Sequence, residues 1–452
     1  MKDEQIKMRY LPHTESEITE MLKVVGAKNV DDLFTSIPKD LRFKSPLNLP
    51  RSMSEMELVS HLKELSEKNN SSASSFLGAG AYRHYVPAAV KAVVSRSEFV
   101  TPYTPYQPEI SQGTLQTIFE YQTMICRIFE MDVTNASHYD GSTSTAEAAL
   151  LATKLTKRKK ILVADTVHPE YREVITTLLR PSGTEIVLVP HTESGTIDRE
   201  FLKAACNKEA AGFIAGYPNF FGVVDSLPEL ADIAHSSGGL FITSTPEPIS
   251  MGLIEAPGKL GADIVCAEGQ SFGCGLNFGG PYLGIFAAKD KYLRSMPGRI
   301  VGETVDTDGK RGYVLTFATR EQHIRREKAT SNICSNEALC ATTAAVYLAM
   351  LGKEGLKKLA ELNFNKAEYA KSVMRGASCV MRFSGPTFNE FVVTLKRPAE
   401  EATHALAKKN IFAGVPLSKW YPQYKNELLV CVTELNSKEE IDTLAKELSP
   451  LL

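Results

Sequence analysis

At 452 residues the chain is too long for one compact domain, so two or three are expected. Its 43% hydrophobic content, without a long low-complexity tract, implies a soluble globular protein. A formal net charge of -2 gives no general electrostatic reason to bind nucleic acid or an anionic membrane, and no apolar run approaches the roughly 20 residues that span a bilayer. The opening MKDEQIKMRYLPHTESE carries acidic residues and no apolar signal core. Eight scattered cysteines without a C-x-x-C pair suit reduced thiols better than disulfides or zinc ligands, so a cytoplasmic protein is expected, with no metal.

The first 70 residues read as helical. SEMELVSHLKELSEK has Ser54 and Glu57 at capping-box spacing, and NNSSASS behind it is the first linker. The loop FVTPYTPYQPEISQG, residues 99–113, is stiffened by three prolines and displays Tyr103, Thr104, Tyr106, Gln107, Glu109 and Gln112. GTLQTIFEYQTMICRIFEM is a helical run. Beyond it KILVA, TEIVLVP, AGFIAGYP, GLFITS and ADIVCA are short, apolar and rich in β-branched residues, with helical stretches such as HPEYREVITTLL and SLPELADIAHSS between the first four. Such alternation predicts a mostly parallel sheet covered on both faces. Residues 262–288, ADIVCAEGQSFGCGLNFGGPYLGIFAA, have the layout of strand, glycine-rich turn and strand, and contain no lysine. After the long helix in SNEALCATTAAVYLAMLG, the tail with NEFVVTL and ELLVCVT reads as a small α/β domain. The expected division is an N-terminal helical segment 1–70, a large α/β domain 71–350 and a small C-terminal domain 351–452.

Four places could carry chemistry. In YDGSTSTAEAALLATKL, glycine and hydroxyl residues precede a helix whose capping box is placed on Ser144 and Glu147. Such an N-terminus is able to hold a phosphate, or is an ordinary capped helix; it is not a Walker loop. The 99–113 loop could hold a small polar substrate or serve as a rigid interface. TREQHIRREKATSNIC sets a basic run against a tight polar loop, fitting either a solvated helix face or a contact with a subunit or anion. His168 follows a strand and either stacks on a cofactor ring or caps the next helix. No G-x-S-x-G elbow supports a hydrolase triad.

Taken together, YTPYQPEISQG, MPGRIVGETVD, TREQHIRREKATSNIC and FGGPYLG resemble the P-protein of the glycine cleavage system, the decarboxylating glycine dehydrogenases. MRYLPHTESEITEMLKVVGAKNVDDLF and IPKDLRF narrow the resemblance to subunit 1, the α-chain of the split form. The resemblance covers nearly the whole chain. It implies the aspartate-aminotransferase-like fold, fold type I of pyridoxal-phosphate enzymes. It also implies a reaction: glycine, joined to pyridoxal phosphate, loses CO2, and its aminomethyl group passes to the lipoyl arm of the H-protein.

In the catalytic half of that family a lysine after the strand forms the Schiff base. Aligning the shared phenylalanine and the later GGP places Gln270 there, an amide that cannot form an imine. Where fold-type I enzymes set an aspartate against the pyridine nitrogen, GLFITSTPEP has Thr243, Ser244 and Thr245, with Glu247 only beyond Pro246. The resemblance therefore implies a chain that binds no cofactor alone. It would complete the site of subunit 2, which holds the pyridoxal phosphate covalently, in a heterodimer or two such pairs. Tyr103, Thr104, Tyr106, Gln107, Glu109 and Gln112 are the expected contribution to that site. Gly141, Ser142 and Thr143 would be a relic phosphate loop, and His323, Arg325 and Arg326 would lie at the interface or along the lipoyl path. The competing readings are a sugar dehydratase or transaminase of the same fold, where histidine typically replaces the lysine, and a purely structural subunit.

Overall fold

The main sheet is built from β1 (Val133–Thr134), β2 (Lys160–Ala164), β3 (Glu185–Val189), β4 (Ala210–Gly216), β5 (Leu240–Thr245), β6 (Ile264–Glu268) and β7 (Gly284–Ala288). The strands lie in the order β1-β7-β6-β5-β4-β2-β3. From β6 to β3 all pairs are parallel, while β7 runs antiparallel to both β6 and β1. Every residue of β4, β5, β6 and β7 is buried, which is why these strands read as mostly apolar runs without a regular apolar–polar alternation. The structure, a computed structural model, describes residues 12–449 apart from Lys44, Pro46, Thr101, Pro102, Thr330 and Asn336. Residues 8–11, the start of the segment MRYLPHTESE used for the resemblance, and Thr101 and Pro102 of the proline-rich loop lie outside the described residues.

The helix after β1 starts earlier than its sequence spacing suggests. It runs Gly141–Thr156 with Asp140 as N-cap, whose carboxylate accepts from the Thr143 amide at 2.8 Å. The expected Ser144–Glu147 box does not form, because an aspartate one turn upstream is already in capping position and the Ser144 hydroxyl is held by His138 Nδ1 at 2.9 Å. His168 is the N-cap of helix Pro169–Leu179, accepting from the Glu170 amide at 3.2 Å.

A six-residue antiparallel hairpin, Ile300–Val305 with Arg311–Thr316, follows the main sheet. The helix Ala338–Gly376 is interrupted at Gly352 (φ 59°). After it, Val380–Met381, Glu390–Thr394, Glu427–Cys431 and Val415–Pro416 form a four-stranded antiparallel sheet with its own core around Phe391, Val430, Ile441 and Leu444. One further segment was not foreseen. Ser74–Ser75 pairs in parallel with Ile411–Phe412, and the chain then continues as an extended strap through residue 86.

The chain divides into two compact units between Asn70 and Ser71. In the N-terminal unit, helix Glu15–Val25 and helix Glu55–Ser66 both carry capping boxes, the second formed by Ser54 and Glu57 as their spacing predicts. Neither helix has a buried residue. Among the described residues no helix is long and apolar enough to cross a membrane, no group of three or more His, Cys, Asp or Glu is placed to hold a metal, and all eight cysteines are free.

Candidate functional site

Gln270 follows β6 and is buried. Its side-chain amide is engaged on both sides by one residue of the strap: Oε1 accepts from the Tyr82 amide and Nε2 donates to the Tyr82 carbonyl, each at 3.0 Å. The pairing copies a strand-to-strand contact, so Gln270 holds the strap across the end of the sheet. Tyr82 and His84 point inward, while Arg83 and Tyr85 face out, the two-residue alternation of extended chain.

Three carboxyl groups, two buried and that of Glu434 partly so, fix the rest of the strap. Glu390 accepts from the Ala79 amide at 2.7 Å and from Tyr82 Oη at 2.8 Å. His84 lies between Glu247, 2.8 Å from its Nε2, and Glu434, 2.8 Å from its Nδ1. Gly80 (φ +91°) crosses His168 so closely that an added Cβ would come within 2.8 Å of Nε2. That nitrogen lies 2.8 Å from the Ala79 carbonyl. The His168 ring is thus covered by the chain's own backbone, with Tyr171 and Phe220 on its other sides.

The helix N-terminus beside β6 is filled as well. Glu268 Oε2 accepts from the Gly141 amide at 2.9 Å, and its Oε1 accepts from the amides of Gln270 at 2.9 Å and Leu283 at 3.0 Å. A carboxyl group of this chain therefore takes the place where a helix N-terminus would receive an anion. A Cβ on Gly141 would meet Tyr171 Oη at 2.5 Å, so the position is closed to side chains too. At the end of β5 no free carboxylate stands among the described residues: Thr243 and Thr245 have buried hydroxyls without partners there, Ser244 is bonded to Thr145, and Glu247 is held by His84 and the Ile249 amide.

These groups titrate unusually. Burial pushes Glu268 up to about 8 against its three amide donors, and pushes Glu390 up to about 7. For His84 burial acts downward, but Glu247 and Glu434 outweigh it and raise the ring to about 10. All three folded values exceed the ordinary 4.5 or 6.5, so the folded chain holds protons that the unfolded chain releases. The stability they contribute is complete below those ordinary values and is lost as pH rises through about 7, 8 and 10. The thermal unfolding midpoint is expected to fall by at least about 5 °C between pH 6 and pH 9, at roughly 2 °C per kcal/mol. A midpoint that stays level over that range in a scanning calorimeter would mean these groups titrate normally.

A second centre lies around the 101–113 loop. Arg299 Nη2 donates to Tyr106 Oη at 3.0 Å, with the guanidinium carbon 5.4 Å from the ring centroid. The His323 ring meets the same tyrosine edge-on at 6.2 Å. With Arg320, Glu321 and Ser335 these residues line a cavity of about 230 Å³. The fold thus brings together residues from both the proline-rich loop and the basic run. Gln112 stands apart, its amide paired with both backbone groups of Tyr313 at 2.8 Å. Tyr103 is 78% exposed, and Gln107, Glu109, Arg325 and Arg326 are exposed as well. Thr104 is half-buried. Tyr82, His84 and Arg299 were not singled out by sequence; only Arg299 lay within a motif that was.

The architecture is the fold shared by fold-type I pyridoxal-phosphate enzymes. At 14% identity the sphingosine-1-phosphate lyase of Burkholderia pseudomallei K96243 still superposes with a TM-score of 0.65 over 92% of this chain and 94% of its own, which shows the fold alone. The chain belongs to the glycine cleavage system P-protein family, whose profile matches residues 8–448. It is 50% identical over 445 residues to the probable glycine dehydrogenase (decarboxylating) subunit 1 of Bacillus cereus strain B4264, covering 98% of this chain and 99% of that one. Identity is 51% over 441 residues to the protein of the same name from Anaeromyxobacter dehalogenans strain 2CP-C, covering 97% and 99%. A crystal structure of glycine decarboxylase (P-protein) in inhibitor-bound form matches with a TM-score of 0.88 at 39% identity, over 98% of this chain and 100% of that one.

The residues at the end of this chain's sheet do not fit pyridoxal phosphate. The position expected for a lysine holds a bonded amide, the helix amide that would meet a phosphate holds Glu268, and the strap covers His168. Gly141 and Thr143 direct their amides to Glu268 and Asp140, and the Ser142 hydroxyl also donates to Asp140.

Proposed function

We propose that this chain is the non-catalytic half of a split glycine decarboxylase, completing an active site on a lysine-bearing subunit 2. The pair decarboxylates glycine and passes the aminomethyl group to the lipoyl arm of the H-protein. On this reading the pyridoxal phosphate is held covalently by subunit 2, and its chemistry is supplied wholly there. The observation that carries the proposal is the pairing of Gln270 with Tyr82, which replaces an amine with a structural amide. The division of residues 71–452 near 350 belongs to the same reading, supported by the break at Gly352.

Tyr103, Thr104, Tyr106 and Gln107 are assigned to the substrate side of the partner's pocket, with Glu109 and Gln112 behind them, and His323, Arg325 and Arg326 to the interface or the approach of the lipoyl arm. Two such pairs would form the full assembly, in the cytoplasm. Purified alone, the chain should retain no pyridoxal after borohydride treatment; mixed with subunit 2, it should restore glycine–CO2 exchange that neither shows separately. Tyr103→Phe and Gln107→Ala are each expected to lower exchange by at least about tenfold, roughly 1.4 kcal/mol. Normal exchange by an assembled complex of either variant would reduce the loop to scaffolding.

A further inference from the structure

The cavity beside Tyr106 carries more positive charge than its own residues balance. The Nε and Nη1 groups of Arg299 are buried and have no hydrogen-bond partner; Nη2 alone is engaged, by Tyr106. Among the described residues, the carboxylate within reach is Glu321, which stands 3.6 Å from Arg299 Nε and is shared with His323 Nδ1 at 3.7 Å. Arg320 brings a second guanidinium, 7% exposed, which among the described residues donates to the neutral carbonyls of Met296, Gly298 and Phe317. Buried cationic donors without acceptors are costly, and an oxyanion is the ligand that relieves them with charge-assisted hydrogen bonds. The cavity is too small for a polymer, and the exposed Arg325, Arg326 and Lys328 follow in the same basic run, where they would draw anions inward.

We propose that this cavity is a binding site for a small oxyanion, a carboxylate or phosphate group, with Arg299 as the ion-pairing residue. The proposal deepens the reading above and rests on it for the anion's origin: the carboxylate of glycine or the phosphate of the cofactor. Tyr106 fixes the guanidinium from the loop side, so loop and anion site form one unit. Ser335 holds the Arg299 backbone from the other side, its Oγ accepting the amide at 2.9 Å.

The test has two parts. On the chain alone, inorganic phosphate and acetate are compared with sodium chloride at equal ionic strength. At least one of them should raise the thermal midpoint of wild type by a few degrees, and Arg299→Gln should abolish the rise while Arg299→Lys keeps part of it. In the complex with subunit 2, Arg299→Gln should raise the glycine KM at least about tenfold with cofactor affinity unchanged if the anion is the substrate carboxylate. It should weaken pyridoxal phosphate binding by a similar factor, with KM unchanged, if the anion is the phosphate. A wild-type chain that gains nothing from either anion overturns the proposal, and so does an assembled Arg299→Gln complex with normal KM and cofactor affinity. If Arg299→Gln does not fold, the wild-type response and Arg299→Lys decide by the same criteria. A wild-type mixture with no exchange activity would instead sink the two-subunit reading and leave the anion measurement on the chain alone as the judge.

Discussion

Replacing His84 with leucine is expected to cost about 3–5 kcal/mol of stability at neutral pH, the usual result of removing one partner from a buried ionic group. The imidazole lies between two carboxylates, each 2.8 Å from one of its nitrogens, and both are nearly sealed from water. Leucine would keep the volume and remove both bonds, leaving Glu247 and Glu434 to face each other across an apolar side chain. One of them would then take up a proton, so the variant's deficit should shrink toward pH 5 and widen toward pH 8. Glu434 is now below its ordinary value: burial acts upward, but the hydrogen bond and charge of His84 prevail. In the variant that pull disappears. Calorimetry of both proteins at pH 5 and pH 8 provides the check; an equal deficit at the two values would show that lost packing, rather than lost charge, causes the damage.

Gln270→Lys is expected to create no cofactor site and to destabilise the chain by about 2–4 kcal/mol, since it strands a buried amide and buries an ammonium. Lysine could donate to the Tyr82 carbonyl as the glutamine does, but it has no lone pair for the Tyr82 amide. Even a displaced strap would leave Glu268 on the Gly141 amide and, among the described residues, no free carboxylate at the end of β5. Borohydride treatment of the variant with pyridoxal phosphate should therefore fix no pyridoxal. A stable variant that did fix it would show that one side chain, and not the whole cleft, had closed the site.

Six of the seven strands of the main sheet were legible because burial on both faces leaves runs such as IVCA and GIFAA without charged interruption, whereas the two-residue Val133–Thr134 gave no such signal. Gln270, aligned with the family's lysine by the phenylalanine and GGP around it, lies just after β6, but no spacing pointed to its pairing with Tyr82. The hairpin at 300–316 was not foreseen: GETVDTDGKRGYV is largely polar and half-exposed, although its DG turn was a usable signal. The helix cap was misplaced because two acceptable boxes lie one turn apart, and only the fold shows that Ser144 is bound to His138. The strap was illegible for another reason. Tyr82 meets residues 188 and 308 positions away, and His84 one 350 away, separations that no local pattern reports. The same holds for Tyr106 and Arg299, 193 positions apart, whose meeting makes the cavity.

The strap has a mechanical consequence. Its anchors belong to both sheets: Gln270 and Glu247 follow strands of the larger one, whereas Glu390 and Glu434 lie on or just after strands of the smaller. A hinge that spread these lobes would have to break the Tyr82 and His84 contacts together. Prising the two sheets apart is thus tied to release of the strap, so the one could not proceed while the other stayed latched.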